Sequence, residues 1–186
     1  SSKMLLREKV KGVIFMPVNF TIHGPFDVPT KPKKIKGGKT TIRQLGDVGA
    51  SLWKDKNFSK YADKKGCYVF ANAVTRGSTP IYVGRKNKSF KRECFATAKK
   101  AMLNDFLASA AKTGLQIYFV MLNNRKDCYE EIDLCETLLI QKCKKANPNL
   151  LNVRKLAEKF TIKSFHGNTS RANGDVTEFK KCLNIK

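Results

Sequence analysis

Tyr68, Tyr82, Arg92, Glu136 and Asn152 are the residues whose types and order suit the hydrolysis of a phosphodiester. Taken singly, most have a plain explanation. A tyrosine on a strand is usually a packing residue. Glu136 is more telling, because it stands one helical turn beyond Ile132 and one turn before Ile140, at the border of an apolar stripe. A carboxylate directed to the core edge of a basic protein needs a partner, either an arginine or a hard cation. Lys88, Lys91 and Arg92 crowd the first turn of a helix predicted from Ser89. The helix dipole disfavours each cation there by a few tenths to about 1 kcal/mol, so the turn either tolerates a small penalty or binds an anion on its N–H groups.

The elements that must position these residues are readable in outline. Residues 67–73 and 80–83 are β-rich and pair as a hairpin across the turn residues 75–79. From Ser89, Phe90, Cys94, Ala98, Ala101, Met102, Phe106, Leu107 and Ala110 recur at helical intervals until Gly114. Residues 115–122, Leu-Gln-Ile-Tyr-Phe-Val-Met-Leu, read as the central strand. Asp127 fits an N-cap, with Glu130 completing a capping box. Ile132, Cys135, Leu139 and Cys143 form the stripe of the helix that follows, and Pro148 ends it. The core order is therefore β-β-α-β-α.

Before this core, residues 1–46 read as an irregular, partly extended arm. Pro17 breaks the apolar stretch 13–20, and a strand at 20–23 ends at Gly24-Pro25. Residues 31–39 hold five lysines with Pro32, Gly37 and Gly38, the composition of a flexible basic loop. Residues 40–60 read as helical in pieces, with Leu45, Val48, Leu52 and Trp53 on one side. The tail carries an apolar segment at 160–165 and a closing helix at 176–183. The expected division is a basic extension over 1–60, a core over 61–155 and a C-terminal extension over 156–186, in one compact domain.

Charge narrows the partner. The 186 residues include 37 Lys and Arg against 15 Asp and Glu, a formal net charge of +22. That excess favours a polyanion, nucleic acid ahead of an anionic membrane surface, because no basic stretch has a strongly apolar opposite face. No run reaches the 18 or so apolar residues of a membrane span. The six cysteines form no C-x-x-C pair and the two histidines, His23 and His166, lie far from them, so zinc has little support. A reduced, cytoplasmic setting is the economical expectation.

In their joint order these residues resemble the GIY-YIG nuclease superfamily. Gly66-Cys67-Tyr68 and Tyr82-Val83-Gly84 look like its two signature tripeptides. Arg92 follows Gly84 by eight residues, Glu136 precedes Leu139-Ile140, and Pro148 leads to Asn152, each in the family's order. The resemblance spans residues 66–152. It implies an α+β fold with a three-stranded antiparallel sheet flanked by helices. It also implies a metal-dependent DNA endonuclease leaving 5′-phosphate and 3′-hydroxyl ends. Glu136 would hold one Mg²⁺ or Mn²⁺, and Tyr68 would act as general base or relay, its phenolate stabilised by Arg85, Lys86 or the metal. Tyr82 would orient water or phosphate, Arg92 would neutralise the phosphorane, and Asn152 would tie two helices together. Arg85, Lys86, Lys88, Lys91 and Lys99 beside the site, and Lys33, Lys34 and Lys36 in the arm, are the expected backbone contacts. DNA is the first expectation and RNA the second.

Two departures stand out. Cys67 replaces the usual aliphatic residue, and Ala96 stands where many members carry His or Tyr. Lys91, Lys99 or the basic arm could substitute there. The competing expectations are a catalytically inactive protein of the same fold that binds nucleic acid without cleaving it, and an RNA-binding basic protein indifferent to substitution of Tyr68 and Tyr82.

Overall fold

The computed structural model describes residues 2–6, 18–34, 41–46, 52–75, 77–109, 114–122, 128–155, 164–166 and 175–184. Lys36, Val48, Ala110, Asp127 and Phe160 lie outside them, as do residues 13–17. The expected hairpin is present. Strands β5 (Gly66–Val74) and β6 (Gly77–Lys86) pair antiparallel from Gly66↔Lys86 to Val74↔Gly77. For consistent numbering, β1 is Ser2–Leu6, β2 Val18–Val28, β3 Thr30–Lys34, β4 Thr41–Leu45, β7 Gly114–Leu122 and β8 Ser164–His166. Helices α1 (Lys56–Ser59), α2 (Phe90–Glu93), α3 (Thr97–Ser109), α4 (Tyr129–Ala146) and α5 (Asp175–Cys182) complete the chain, after a 3-10 turn at Leu52–Lys54.

The chain is α+β, with an antiparallel sheet flanked by helices. That sheet has six strands, in the order β6-β5-β7-β2-β1-β8, rather than the three expected. The expected trio is its β6-β5-β7 end. The physical reason for the extension is that β7, buried at Ile117, Tyr118, Phe119 and Val120, has one edge paired by β5 and its second edge of backbone N–H and C=O groups still to be paired away from water. Its second edge is taken by β2, which pairs with β7 from Phe20↔Leu122 to Val28↔Leu115. Gly24-Pro25 does not end that strand as expected. A register shift between His23 and Phe26 absorbs the pair as a bulge, and the strand continues.

The supposed flexible lysine loop is also partly a strand. β3 pairs with β4 in a separate two-stranded hairpin that exposes Lys33 and Lys34. Asn104 Oδ1 on α3 accepts the Leu45 N–H at 2.8 Å and docks the hairpin. Of the pieces of helix expected at 40–60, residues 41–45 form a strand instead, and the described helical pieces are Leu52–Lys54 and Lys56–Ser59.

Helices cover both sheet faces. On one, Ile132, Cys135, Leu139 and Cys143 of α4 and Val176 and Phe179 of α5 pack with Cys67, Val69, Val83 and Val120. The other face is aromatic: Trp53, Phe58, Tyr61, Phe90, Leu103 and Leu107 pack with Tyr68, Phe70 and Phe119. The Phe119 ring lies 4.7 Å from that of Phe90 and 5.2 Å from that of Phe58. Truncating such a residue to Ala costs about 3–5 kcal/mol, so this layer anchors the segments that carry the site.

Two helix expectations need correction. The helix from Ser89 is broken: α2 has four residues, and α3 restarts at Thr97. Cys94 and Phe95 are both buried, and consecutive buried residues cannot share one narrow helical face. Tyr129 starts α4, with Cys128 in the N-cap position and no side-chain cap, so the expected Asp127–Glu130 box is not its start. Glu130 and Glu131 still occupy the first turn, where the dipole favours them. Among the described residues, no helix is long and apolar enough to cross a membrane.

Candidate active site

The site lies at the outer edge of the sheet, along β6. Facing positions of an antiparallel pair project to the same side. Tyr68↔Gly84 and Phe70↔Tyr82 are such pairs, so the two tyrosines share the aromatic face. A bulge between Phe70 and Ala71 skips Ile81 in the register, which sends Ile81 and Tyr82 to the same face. The rings of Tyr68 and Tyr82 stand 6.4 Å apart. Val83 and Arg85 alternate to the other face, toward α4.

Gly66 and Gly84 are both explained by close approach. Gly66 has φ +143°, and a Cβ there would collide with the Val120 carbonyl oxygen. Gly84 lies under the Tyr68 ring, and a Cβ there would collide with Oη, Cζ and Cε2 of that tyrosine. The Tyr68 side chain is 0% exposed, and its hydroxyl has no hydrogen-bond partner. An orphaned buried hydroxyl is costly and calls for an explanation.

Tyr68 does not meet the electrostatic conditions expected of a phenolate. Burial pushes its pKa up, and nearby Cys94, Tyr82, Glu93 and Glu136 push it further. The cations expected to help are committed elsewhere: Arg85 to Asp133 and Glu136, and Lys86 to Glu93. Tyr82 is half-buried. Burial raises its pKa, the Lys99 charge opposes this, and Glu136 and Glu93 add to it. Both phenols therefore lie within electrostatic reach of Glu136 and Glu93.

Glu136 has the partner its position demanded. Its Oε2 accepts from Arg85 Nε at 3.1 Å and from Lys155 Nζ at 2.8 Å, and its side chain is 15% exposed. Asp133, one turn earlier on α4, accepts from Arg85 Nη2 at 2.9 Å and Lys155 Nζ at 2.6 Å. Lys155 reaches them from a left-handed backbone at φ +60°. Burial alone would lower the Lys155 pKa, but the hydrogen bonds and charges of Asp133 and Glu136 raise it overall.

Asn152 links a loop to a strand, and not two helices as expected. Its Oδ1 accepts the Val83 N–H and its Nδ2 donates to the Val83 carbonyl, both at 2.8 Å. Leu151 N–H donates to the Ile81 carbonyl and Asn147 Nδ2 to the Pro80 carbonyl. The segment after α4 thus runs along β6 and covers an edge that would otherwise expose backbone groups. It also fixes Val83 between Tyr82 and Gly84.

Of the two readings of the turn at Ser89, anion binding finds no support in the first two N–H groups of the helix. The N–H groups of Phe90 and Lys91 donate to the Lys64 and Ala62 carbonyls, so neither points to a ligand. Lys91 and Arg92 fall in the last turn of the short α2. Lys88, Lys91 and Arg92 are exposed. Arg92 makes no ion pair among the described residues and is not drawn into the tyrosine site.

Three participants escaped the sequence reading: Asp133, Lys155 and Glu93. Glu93 is bonded by Lys86 Nζ at 3.1 Å and by Lys99 Nζ. It is the lone acid between Lys86 and Lys100, among six cations, and that isolation was the available signal. Asp133 could have been found by its i, i+3 spacing from Glu136. Lys155 had no signal, because its place depends on the course of the chain after α4.

No group of three or more His, Cys, Asp or Glu side chains arranged to hold a metal occurs among the described residues. No protein-family model, curated protein or solved structure matches the chain.

Proposed function

We propose that the chain is a metal-dependent endonuclease that hydrolyses DNA phosphodiester bonds on a GIY-YIG-like core and leaves 5′-phosphate and 3′-hydroxyl ends. The reading rests on Tyr68 and Tyr82 sharing one face of the β6 edge while Glu136 lies across that edge on α4, within electrostatic reach of both phenols, with a buried Tyr68 hydroxyl lacking any partner. The net charge of +22 supports a polyanionic substrate, and six buried cysteines in thiol form support a reducing cytoplasmic setting.

Glu136 fits a Mg²⁺ or Mn²⁺ ion by the chemistry of its donor. It is a hard, partly exposed carboxylate whose bonds fall on one oxygen, Oε2, and these ions keep several waters beside one or two carboxylates. Bound there, the ion would supply Lewis-acid polarisation of a non-bridging phosphate oxygen and charge neutralisation at the leaving 3′-oxygen. The chain's own residues do the rest. Tyr68 keeps its proton, and its unpartnered hydroxyl against Gly84 is the donor that a substrate group or water would satisfy once the site is occupied. Tyr82, half-exposed beside Lys99, orients the attacking water; as the new P–O bond forms and the bond to the 3′-oxygen breaks, the water's proton passes to bulk solvent and the 3′-oxygen takes one from it. Arg85 and Lys155 hold the Glu136 carboxylate and add positive charge where phosphate charge develops. Exposed Arg92, with Lys88, Lys91, Lys33 and Lys34, contacts the nucleic-acid backbone.

The test is incubation of supercoiled plasmid with the protein and Mg²⁺ or Mn²⁺, followed by end labelling. Nicks that accept a kinase label only after phosphatase treatment agree with 5′-phosphate ends. Absence of nicking removes the enzyme reading. One observation favours a second reading, a binding protein of the same fold without cleavage: two cations already satisfy Glu136. It predicts tight, salt-sensitive binding of DNA or RNA and no metal-dependent product.

A further inference from the structure

Lys86 and Lys99 approach the Glu93 carboxylate from different elements. Lys86 is the last residue of β6, and Lys99 lies in the first turn of α3. Lys86 donates to Oε2 and Lys99 to Oε1, so each ammonium takes its own oxygen. That is how two cations would flank a phosphate. The first turn of α3 contains no acidic residue, and its dipole disfavours Lys99 unless an anion is present. Glu93 supplies that anion from the last position of α2, just before the break.

A purely structural clamp would join β6 to α3 and need nothing more. Three facts point past it. The triad has two ammonium groups against one carboxylate in a chain that is already strongly cationic. It borders the half-exposed Tyr82, whose phenol responds to both Lys99 and Glu93. The unpartnered hydroxyl of the 0% exposed Tyr68 lies in the same neighbourhood and also responds to Glu93.

We infer that Lys86 and Lys99 form a subsite for a backbone phosphate beside the scissile one, and that Glu93 occupies this subsite until nucleic acid displaces it. Glu93 is then an internal competitor. It holds two mutually repelling cations in place in the free protein and yields them by anion exchange. Because the lysines are already ordered, binding spends less on fixing their side chains. This rests on the nucleic-acid binding in the proposed function and does not depend on cleavage.

The experiment measures dissociation constants of the full chain for a short duplex DNA without divalent cations over a series of NaCl concentrations. Asp105→Asn serves as the charge control, since Asp105 is exposed on α3 and the change raises net charge by the same one unit as Glu93→Gln. Glu93→Gln is expected to tighten binding several-fold to about tenfold beyond Asp105→Asn, the scale of two partly exposed ion pairs released. Lys86→Met and Lys99→Met should each weaken binding and flatten the log Kd against log salt slope by about 0.9. In the Lys86→Met/Lys99→Met background, the gain from Glu93→Gln should vanish.

Equal affinity of Glu93→Gln and Asp105→Asn, or a salt slope unchanged in the lysine variants, overturns the inference. Should Glu93→Gln unfold, the lysine slopes still decide. Wild-type protein without salt-sensitive DNA binding would instead overturn the nucleic-acid reading, and the subsite with it.

Discussion

Removing the Tyr68 hydroxyl should stabilise the protein while disabling it. Its Oη is buried without a partner, and the ring around it is fixed by Phe70, Phe90 and Tyr82 at centroid distances of 5.6, 6.2 and 6.4 Å. Mutational data put the cost of burying an unsatisfied hydroxyl at about 1–3 kcal/mol. Tyr68→Phe returns that cost, less the dispersion attraction forfeited at the small void beside Gly84, for a net gain of about 1 kcal/mol. In a chain of this size, that gain raises the thermal midpoint by about 2–4 °C. Urea melts and a thermal scan measure it, and plasmid nicking is followed in parallel. A loss of about 1 kcal/mol or more would show that the hydroxyl is bonded in the folded protein and refute the reasoning. Undiminished nicking would remove Tyr68 from the chemistry.

Gly84→Ala should destabilise by about 1–3 kcal/mol through overpacking against a ring that cannot retreat, visible as a lower urea midpoint. Asn152→Ala removes both bonds to Val83 and should cost about 1–2 kcal/mol, with slower nicking as Gly84 and Arg85 lose their support. Glu93 predicts a pH effect. Burial would raise its pKa, but hydrogen bonds and charges from Lys99 and Lys86 hold it below the usual glutamate value overall. A carboxylate depressed in the folded state contributes stability above its unfolded pKa and loses it as pH falls through the folded one. The stability difference between wild type and Glu93→Gln should therefore be present at neutral pH and vanish in acid, as read by urea melts across pH.

Local patterns carried far into the sequence reading, and long-range pairing did not. Alternation and turn residues located β5 and β6, the apolar run located β7, and the Ile132–Cys143 stripe located α4. The six-stranded sheet was hidden because nothing in residues 18–28 says that they pair with residues more than eighty positions away. The α2–α3 break was hidden because Phe90 and Cys94 keep helical spacing, and only the joint burial of Cys94 and Phe95 interrupts it. The candidate site was half legible. Tyr68 and Tyr82 share one face and Glu136 stands across the β6 edge within electrostatic reach of both, whereas Arg92 stays outside because its short helix is tied to residues 62 and 64. Lys155 was invisible because a left-handed turn after Asn152, and no periodic pattern, brings it to Glu136.

The most direct measurement is the rate of plasmid nicking in Mg²⁺ or Mn²⁺ by wild type and by Glu136→Gln, with folding of both confirmed by thermal melts. The substitution keeps the side-chain shape and removes the charge that Arg85 and Lys155 hold and that a divalent ion would need. Wild type is expected to nick in a metal-dependent way, and the variant to lose that activity or show it reduced at least a hundredfold, on the order of removing one electrostatic group from an active site. A folded Glu136→Gln protein that nicks as fast as wild type would contradict the proposed function.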